Sequence, residues 1–335
     1  MFVVPICESH IQGAVSFERR GDALIPWRLP YREIGLYPPD GTVGLHAQSP
    51  AGMRIQFRTN ATALRLALTP HQEDRPFDLV CENQLLAAEV LPANSNIVQF
   101  QLPTSEPSRV YEIWLPHNQN VELLRIECQD GRHLLPAADT RLRWITYGSS
   151  ISQCAAAHSP ARTWPATTAR ELDLNLTCLG FRGNCHLEPM VAVAMREVPA
   201  DLITLKVGIN IMAASSLSPR TFSAALIGFI RILRDKHPFT PIGVVSSIVS
   251  PSREKSVNAV GIDLATSRTM VADSVTRLAA TGDKNIWYFD GAAIFNEDMA
   301  NEYLPDGLHP NGDGYELLGK RMTELVMKPL LERMG

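Results

Sequence analysis

The chain has 335 residues, of which 45% are hydrophobic and 20% are charged, and its formal net charge at pH 7 is only −4. This balance excludes a strongly basic surface for nucleic acid and a polybasic patch for an anionic membrane. No apolar run approaches the roughly 20 residues that a membrane span needs. The length allows two domains of ordinary size.

The cysteines and the first residues bear on the cellular compartment. Six cysteines are scattered without a Cys-x-x-Cys pair: Cys7, Cys81, Cys128, Cys154, Cys178 and Cys185. This pattern favours neither a disulfide framework nor a zinc site. Residues 1–7 lack a cationic leader and a long apolar core, so they do not resemble a signal peptide. We therefore expect a cytoplasmic protein.

Short alternating segments fill residues 1–137. Apolar and polar residues alternate at 54–58, 64–68, 77–81, 97–102, 110–115 and 121–127. A period of two places one face of a strand on a core and the other toward water. Clusters of Pro, Gly, Asn and Asp separate the runs at short intervals, which is typical of antiparallel strands. We predict an all-β, jelly-roll-like sandwich over residues 1–137.

From residue 138 onward, strand-like runs alternate with helix-like runs. The predicted strands are 142–147, 174–179, 201–207, 241–248 and 286–290. The predicted helices lie near 160–172, 186–197, 219–236, 263–281 and 312–333. Such alternation over nearly 200 residues favours a parallel sheet covered on both faces. We therefore predict a second, α/β domain over residues 138–335.

Four groups of residues in this second part follow predicted strands. Ser150 follows the first strand, Gly183 the second and Asn210 the third, while Asp306 and His309 follow the last. The carboxyl ends of parallel strands meet at one edge of a sheet, and open α/β sheets keep their active sites there. We expect these residues to lie together.

These residue types fit acyl transfer from an ester. A serine hydroxyl is a poor nucleophile unless an imidazole takes its proton, which His309 can do while Asp306 holds the other ring nitrogen. The oxyanion that forms needs fixed donors, and the Ser150 amide, the Gly183 amide and the Asn210 side-chain NH₂ can supply three. Removing one such donor typically costs ~3–4 kcal/mol of transition-state stabilisation.

The ordered set resembles the four blocks of the SGNH (GDSL-type) hydrolase family. The matching segments are GSS at 148–150, Gly183, GIN at 208–210 and DGLH at 306–309, spread over about residues 142–325. The resemblance implies a flavodoxin-like, three-layer α/β/α domain and an activity that hydrolyses or transfers acyl groups on esters. It also implies that Ser150, Gly183, Asn210 and His309 are the namesake residues, with Asp306 orienting the histidine.

One position departs from the family pattern. The family's usual aspartate before the nucleophile is Ser149 here, so two serines stand side by side. We choose Ser150 as the nucleophile because it aligns with the family serine and lies two residues past Gly148. Ser152 excludes the Gly-x-Ser-x-Gly elbow of α/β-hydrolases. The sandwich ahead of this domain resembles two-domain carbohydrate acetyl esterases and related acyltransferases in architecture.

Several other residues allow two interpretations. Asp130 and His133 repeat the Asp-x-x-His spacing, but no Pro-Asn follows them, so we interpret them as a turn. Ser149, Ile211 and Met212 are candidate substrate-binding residues, with core packing as the alternative for the last two. His158 and His186 either contact substrate or begin helices. Trp27, Trp114 and Trp144 either pack in the core or, if exposed on the sandwich, stack on a sugar ring.

The sequence therefore predicts a serine esterase that needs no metal or organic cofactor. Its expected partner is a small-molecule or carbohydrate ester, with O-acetyl groups on a sugar as the first choice. The alternatives are an acyltransferase that uses an alcohol or amine acceptor, and a non-catalytic carbohydrate-binding protein. The β domain either binds glycan, shapes the rim of the active site or forms a contact in a homo-oligomer.

Overall fold

The structure is a computed structural model that describes residues 2–38, 42–103, 108–130 and 133–334. Its N-terminal part is an antiparallel β-sandwich, and its C-terminal part is a five-stranded parallel sheet between helices. Both parts match the fold class that the sequence predicts. Within the described ranges, no helix is long and apolar enough to cross a membrane.

The described residues of the sandwich form twelve strands in two sheets. The first sheet has the order β3-β4-β11-β6-β9, with β1 also paired to β11, and the second has the order β12-β5-β10-β7-β8, with β2 also paired to β5. The strands are β1 (Phe2–Pro5), β2 (Ile11–Gln12), β3 (Ser16–Arg20), β4 (Ala23–Trp27), β5 (Arg54–Thr59), β6 (Ala63–Leu68), β7 (Arg75–Cys81), β8 (Gln84–Leu91), β9 (Ile97–Gln101), β10 (Arg109–Trp114), β11 (Leu123–Cys128) and β12 (Leu134–Pro136).

The two sheets enclose an apolar core of their own. Leu64, Leu66 and Leu68 of β6 point into it, and Phe57 and Tyr111 from neighbouring strands stack with ring centroids 6.2 Å apart. The side chains at alternate positions of β6 are thus the ones that face this core, as a period of two requires. Between β4 and β5 the chain forms one short helix, α1 (Thr42–Ala47), and a 3₁₀ helix (Tyr31–Leu36). The alternation pattern did not predict either helix.

The parallel sheet is ordered β14-β13-β15-β16-β17. The chain therefore starts at the inner strand β13, adds β14 on one side and then adds the other three strands on the opposite side. Its strands are β13 (Leu142–Gly148), β14 (Leu174–Gly180), β15 (Leu202–Lys206), β16 (Ile242–Val245) and β17 (Ile286–Phe289). All five lie within three residues of the predicted bounds. The order reverses between β14 and β15, on either side of β13, and ligands bind at such a switch point in open α/β sheets.

Helices cover both faces of the parallel sheet. They are α2 (Ser150–Gln153), α3 (Trp164–Glu171), α4 (Pro189–Glu197), α5 (Ile209–Ala214), α6 (Pro219–Arg234), α7 (Leu264–Ala280), α8 (Gly291–Ile294), α9 (Glu297–Tyr303), α10 (Gly312–Met322) and α11 (Lys328–Glu332). One face packs against α4, α6 and α7, and the other against α3, α10 and α11. The predicted helix 312–333 is interrupted by a π-helical turn (Thr323–Met327) between α10 and α11.

The sandwich and the parallel sheet share their apolar cores. Trp27 and Leu29 of the sandwich join the core on one face of the parallel sheet, and Val80 and Trp114 join the core on the other face. The predicted division after residue 137 lies between β12 and β13. Packed side chains cross this boundary on both faces of the parallel sheet. The independence of the two domains therefore stays a prediction.

Candidate active site

The predicted nucleophile lies where β13 turns into the short helix α2. Ser149 is the N-cap of α2, and its hydroxyl accepts a hydrogen bond from the Ile151 amide at 3.2 Å. Ser150 is therefore the first helical residue, whose amide has no partner within its own helix. A Cβ on Gly148 would approach the Ser152 hydroxyl to 2.3 Å, so only glycine fits at the end of this strand.

The hydroxyl of Ser150 lies against the imidazole of His309. Ser150 Oγ is 2.9 Å from His309 Nε2, although these residues are 159 positions apart in the chain. On the other side of the ring, His309 Nδ1 is 2.6 Å from Asp306 Oδ2. An ionised carboxylate can only accept, so in the neutral imidazole Nδ1 carries the proton and Nε2 is free to accept the serine proton.

Asp306 is held ionised by its own loop. Its Oδ1 accepts hydrogen bonds from the His309 amide at 2.7 Å and the Leu308 amide at 2.9 Å. Burial would raise the pKa of Asp306, but these bonds and the His309 ring outweigh it and lower the pKa to about 2. The folded pKa is thus below the ordinary value near 4, so the stabilisation is present above pH ~4 and is lost as the pH falls toward 2.

The loop that carries Gly183 is hydrogen-bonded to the end of β13 and to α2. The Phe181 amide donates to Gly148 O at 2.8 Å, and the Arg182 amide donates to Gln153 Oε1 at 3.0 Å. Gly183 is exposed with φ +71°, a left-handed conformation that favours glycine, and open space lies where its Cβ would be. In the described part of the chain, neither the Gly183 amide nor the Ser150 amide has a hydrogen-bond acceptor.

Asn210 lies in the first turn of α5, beside the same loop. Its Oδ1 accepts a hydrogen bond from the Cys185 amide at 3.2 Å. Because a carboxamide has one carbonyl and one NH₂, this bond assigns the acceptor side and directs the NH₂ group away from Cys185. The four predicted blocks are thus joined by hydrogen bonds: the Gly183 loop to α2 and Asn210, and Ser150 to the Asp306–His309 loop.

Two side chains outside the predicted blocks hold these loops in place. His186 Nε2 is 3.0 Å from Gly183 O, and its Nδ1 is 2.7 Å from Ser216 Oγ. Ser250 donates its hydroxyl to Gly307 O at 2.6 Å, in the middle of the Asp306–His309 loop. Helix α4 begins only at Pro189, so the interpretation of His186 as a helix-start residue is wrong: it lies in the loop before that helix.

The other singled-out residues lie mostly in packed surroundings. Ile211 and Met212 are buried in the core beneath α5, which agrees with core packing, the alternative that the sequence left open. Ser149 is buried and caps α2. A role of these three residues in substrate binding stays a prediction. Trp27, Trp114 and Trp144 are all buried. His158 is 2.8 Å from the carboxylate of Asp313.

The second Asp-x-x-His copy is not assembled into a pair. Asp130 accepts hydrogen bonds from the Thr62 hydroxyl, and His133 Nε2 lies 3.0 Å from Ser108 Oγ. Among the residues with described positions, no three His, Cys, Asp or Glu side chains are grouped so as to hold a metal ion. All six cysteines are free thiols, and five of them are buried.

The comparisons with known proteins agree with this arrangement. The family model described as "GDSL-like Lipase/Acylhydrolase family" matches residues 142–326, which is more than half of the chain. The chain belongs to this family. A second model, described as the N-terminal domain of SsfX3, matches residues 9–124 of the sandwich. The family that the sequence motifs predict is thus confirmed. No curated protein sequence matches the chain.

Solved structures extend the similarity over both parts of this GDSL-like protein. It is 30% identical to the salicylyl-acyltransferase SsfX3 from a tetracycline biosynthetic pathway, with a TM-score of 0.89 over 98% of this chain and 97% of that chain. A GDSL-like lipase structure from Bacteroides ovatus gives 22% identity and a TM-score of 0.77 over 99% and 97%. A family two carbohydrate esterase from Clostridium thermocellum, in complex with cellohexaose, gives 16% and 0.61 over 83% and 92%. The last two show the fold alone.

Sequence reasoning missed the residues that this GDSL-like protein uses to tie its loops together. Gln153 and Ser250 each contact a backbone atom that is distant in the sequence. His186 was singled out as a possible substrate contact or helix start, but its contact with Gly183 O was not expected. No spacing or periodicity marks such contacts. Only the Gly, Ser, Asn and Asp–His blocks carry a pattern that can be read along the chain.

Proposed function

We propose that this protein is a serine esterase that hydrolyses a carboxylic ester through an acyl-enzyme on Ser150. The observation that carries the proposal is the chain of two short contacts, 2.9 Å from Ser150 Oγ to His309 Nε2 and 2.6 Å from His309 Nδ1 to Asp306 Oδ2. It supplies a nucleophile, a base and a group that orients the base.

The proposed reaction has two halves. In the first, His309 Nε2 takes the Ser150 proton as Oγ attacks the ester carbonyl, and His309 then gives that proton to the departing alcohol. In the second, water loses a proton to His309 and attacks the acyl carbon, and the proton returns to Ser150 Oγ as the carboxylic acid leaves. Asp306 stays ionised throughout and stabilises the imidazolium that forms in each half.

Three donors are proposed to stabilise the oxyanion that each attack creates. They are the amides of Ser150 and Gly183 and the side-chain NH₂ of Asn210. Two observations support this role: the amides have no acceptor among the described residues, and the Cys185 amide occupies the other end of the Asn210 carboxamide. Donors fixed before the reaction need no reorganisation when charge develops on the carbonyl oxygen.

For the substrate, we propose an acyl group on a small alcohol, with O-acetyl groups on a carbohydrate as the first class to try. The support is similarity of fold to family two carbohydrate esterases. A second candidate is acyl transfer to an alcohol or amine, favoured by the 30% identity with a salicylyl-acyltransferase along nearly the whole chain. Both use the same acyl-enzyme and differ in what attacks it.

Hydrolysis of p-nitrophenyl acetate tests the shared first step. We expect steady turnover by the wild type and a loss of at least about a thousandfold in kcat for Ser150→Ala, since the nucleophile is removed. Ser149→Ala is the matched control, because it removes the neighbouring hydroxyl, whose observed contact is the helix cap of α2. If Ser150→Ala kept normal turnover while Ser149→Ala lost it, the nucleophile assignment would be wrong.

Product analysis with added acceptors separates the two candidates. An esterase releases one carboxylic acid for each p-nitrophenol at every acceptor concentration. A transferase diverts the acyl group to the acceptor in a saturable way, and its turnover rises with the acceptor if breakdown of the acyl-enzyme limits the rate. Absence of turnover with every ester and acceptor tried, together with no labelling by a fluorophosphonate, would favour the non-catalytic carbohydrate-binding alternative.

A further inference from the structure

We propose that Arg28, which belongs to the β-sandwich, is a positioning residue for the oxyanion loop of the parallel-sheet domain. The active site is then built by both parts of the chain. This inference rests on the proposed acyl-enzyme function, because the loop in question, residues 181–184, carries the Gly183 amide.

Arg28 reaches from the end of β4 to the end of β14. Its side chain is fully buried, and its guanidinium group donates to Gly180 O and, at 3.5 Å, to Cys178 O. The same group donates to His46 O at 2.5 Å and lies 4.8 Å from the centre of the Phe181 ring. One planar fork therefore fixes the last carbonyl before the oxyanion loop and the first side chain within it.

The free-energy cost of burying the Arg28 charge indicates that this side chain does more than pack. Burial lowers the pKa of Arg28 to about 10, yet the group remains charged near neutral pH. No carboxylate of the described residues forms an ion pair with it, so carbonyl dipoles and a ring face hold the charge. A buried cation is costly unless it is hydrogen-bonded. The two terminal nitrogens of Arg28 donate to the carbonyls of Gly180, Cys178 and His46, while Nε has no partner among the described residues.

A second contact from the sandwich holds the other end of the same loop. The Thr42 hydroxyl, at the start of α1, donates to Asn184 Oδ1. Asn184 in turn donates its amide to Phe181 O at 3.0 Å, which closes the loop into a turn. The sandwich therefore holds residues 181–184 at both ends and leaves the Gly183 amide between them.

Arg54 provides a matched comparison within the same protein. It is also a fully buried sandwich arginine that contacts β14, but it donates to Leu176 O at 3.1 Å and to Asn175 Oδ1 at 2.7 Å, near the start of that strand. Four residues of parallel strand, or about 13 Å, separate Leu176 from Gly180. Arg54 is also paired with Asp139 at 3.0 Å, as structural arginines commonly are.

The test compares Arg28→Lys with Arg54→Lys in the full-length chain. Lysine keeps the charge but lacks the planar guanidinium group, whose two terminal nitrogens donate to Gly180 O and His46 O. For Arg28→Lys we expect kcat for p-nitrophenyl acetate, and the rate of fluorophosphonate labelling, to fall about tenfold or more while KM changes less than about twofold, because the oxyanion donor is displaced. For Arg54→Lys we expect a lower Tm and a kcat within about twofold of the wild type.

Thr42→Val keeps the inference testable if Arg28→Lys does not fold. Thr42 is at the surface and valine has nearly its shape, so the variant loses only the hydrogen bond to Asn184. We expect kcat to fall about three- to tenfold with KM unchanged. An Arg28→Lys kcat equal to that of the wild type, or equal to that of Arg54→Lys, overturns the inference, as does an unchanged kcat in Thr42→Val. An inactive, unlabelled wild type instead overturns the proposed function, and this inference with it.

Discussion

The carboxamide of Asn210 has two ends with different surroundings. The carbonyl oxygen accepts from the Cys185 amide at 3.2 Å, and the NH₂ group is the end that the proposed oxyanion would use. This division allows the two ends to be tested separately. Asn210→Asp keeps an acceptor for the Cys185 amide and removes only the donor, whereas Asn210→Ala removes both.

For Asn210→Asp we expect kcat to fall by more than about a hundredfold with little change in KM, because the oxyanion exists only after attack and a carboxylate would repel it. The loss in Asn210→Ala should be smaller, at about a hundredfold. Steady-state kinetics at pH 7 with a p-nitrophenyl ester gives both values. A change confined to KM in both variants would make Asn210 a substrate-binding residue instead.

At this scale the sequence was most informative. The blocks around Ser150, Gly183 and Asn210 were readable because each follows closely on a predicted strand. The Asp306–His309 block was readable from its spacing before the last predicted helix; in the structure α8 and α9 separate it from β17, so it does not follow that strand directly. The structure brings Ser150 and His309 together, and it gives Ser149 the separate task of capping α2. Arg28 and Thr42 could not be found in the same way, since their partners are ordinary backbone and amide atoms in the other half of the chain.

Among the elements, the packing of α2 against β14 decides where Ser150 sits. The two meet at Gly180, where an added Cβ would lie 2.5 Å from the Ser152 carbonyl carbon and the Gln153 amide nitrogen. Both atoms are backbone and cannot move aside without shifting the helix. The glycine is therefore required by close approach of two elements and not by its backbone angles.

Gly180→Ala should displace α2 and so impair catalysis and stability together. We expect a loss of about 1–3 kcal/mol in the free energy of unfolding, typical of overpacking, and a fall in kcat of about tenfold or more. Gly228→Ala is the control, because Gly228 lies inside α6 with open space at its Cβ; it should gain about 0.5–1 kcal/mol and keep its kcat. Urea unfolding and ester kinetics measure both. Equal behaviour of the two variants would contradict this account of α2.

The elements themselves were predicted unevenly. Long segments with a clear period, such as α6, α7 and the five parallel strands, lie within a few residues of their predicted bounds. Short helices with one or two turns were missed, among them α1, α5, α8 and α9. These helices depend on caps such as Asp290 for α8 and Asn296 for α9 and on packing, and a run of four to seven residues is too short for periodicity to reveal.

The whole molecule joins its two parts more closely than a chain of independent domains would. Sandwich side chains enter the cores on both faces of the parallel sheet, and the buried arginines Arg28 and Arg54 cross the interface to opposite ends of β14. The sequence predicted two folds side by side and three possible roles for the sandwich. The contacts of Arg28 and Thr42 favour a role in shaping the active site, which could not be inferred from either half alone.

The central claim is that one hydroxyl of this chain, that of Ser150, becomes acylated. Its most direct test is to trap the full-length protein with a fluorophosphonate, digest it and locate the adduct by peptide mass spectrometry. We predict one adduct per chain, located on Ser150, and none in Ser150→Ala. An adduct on Ser149 or on another residue, or no adduct in a wild type that turns over esters, would contradict the account.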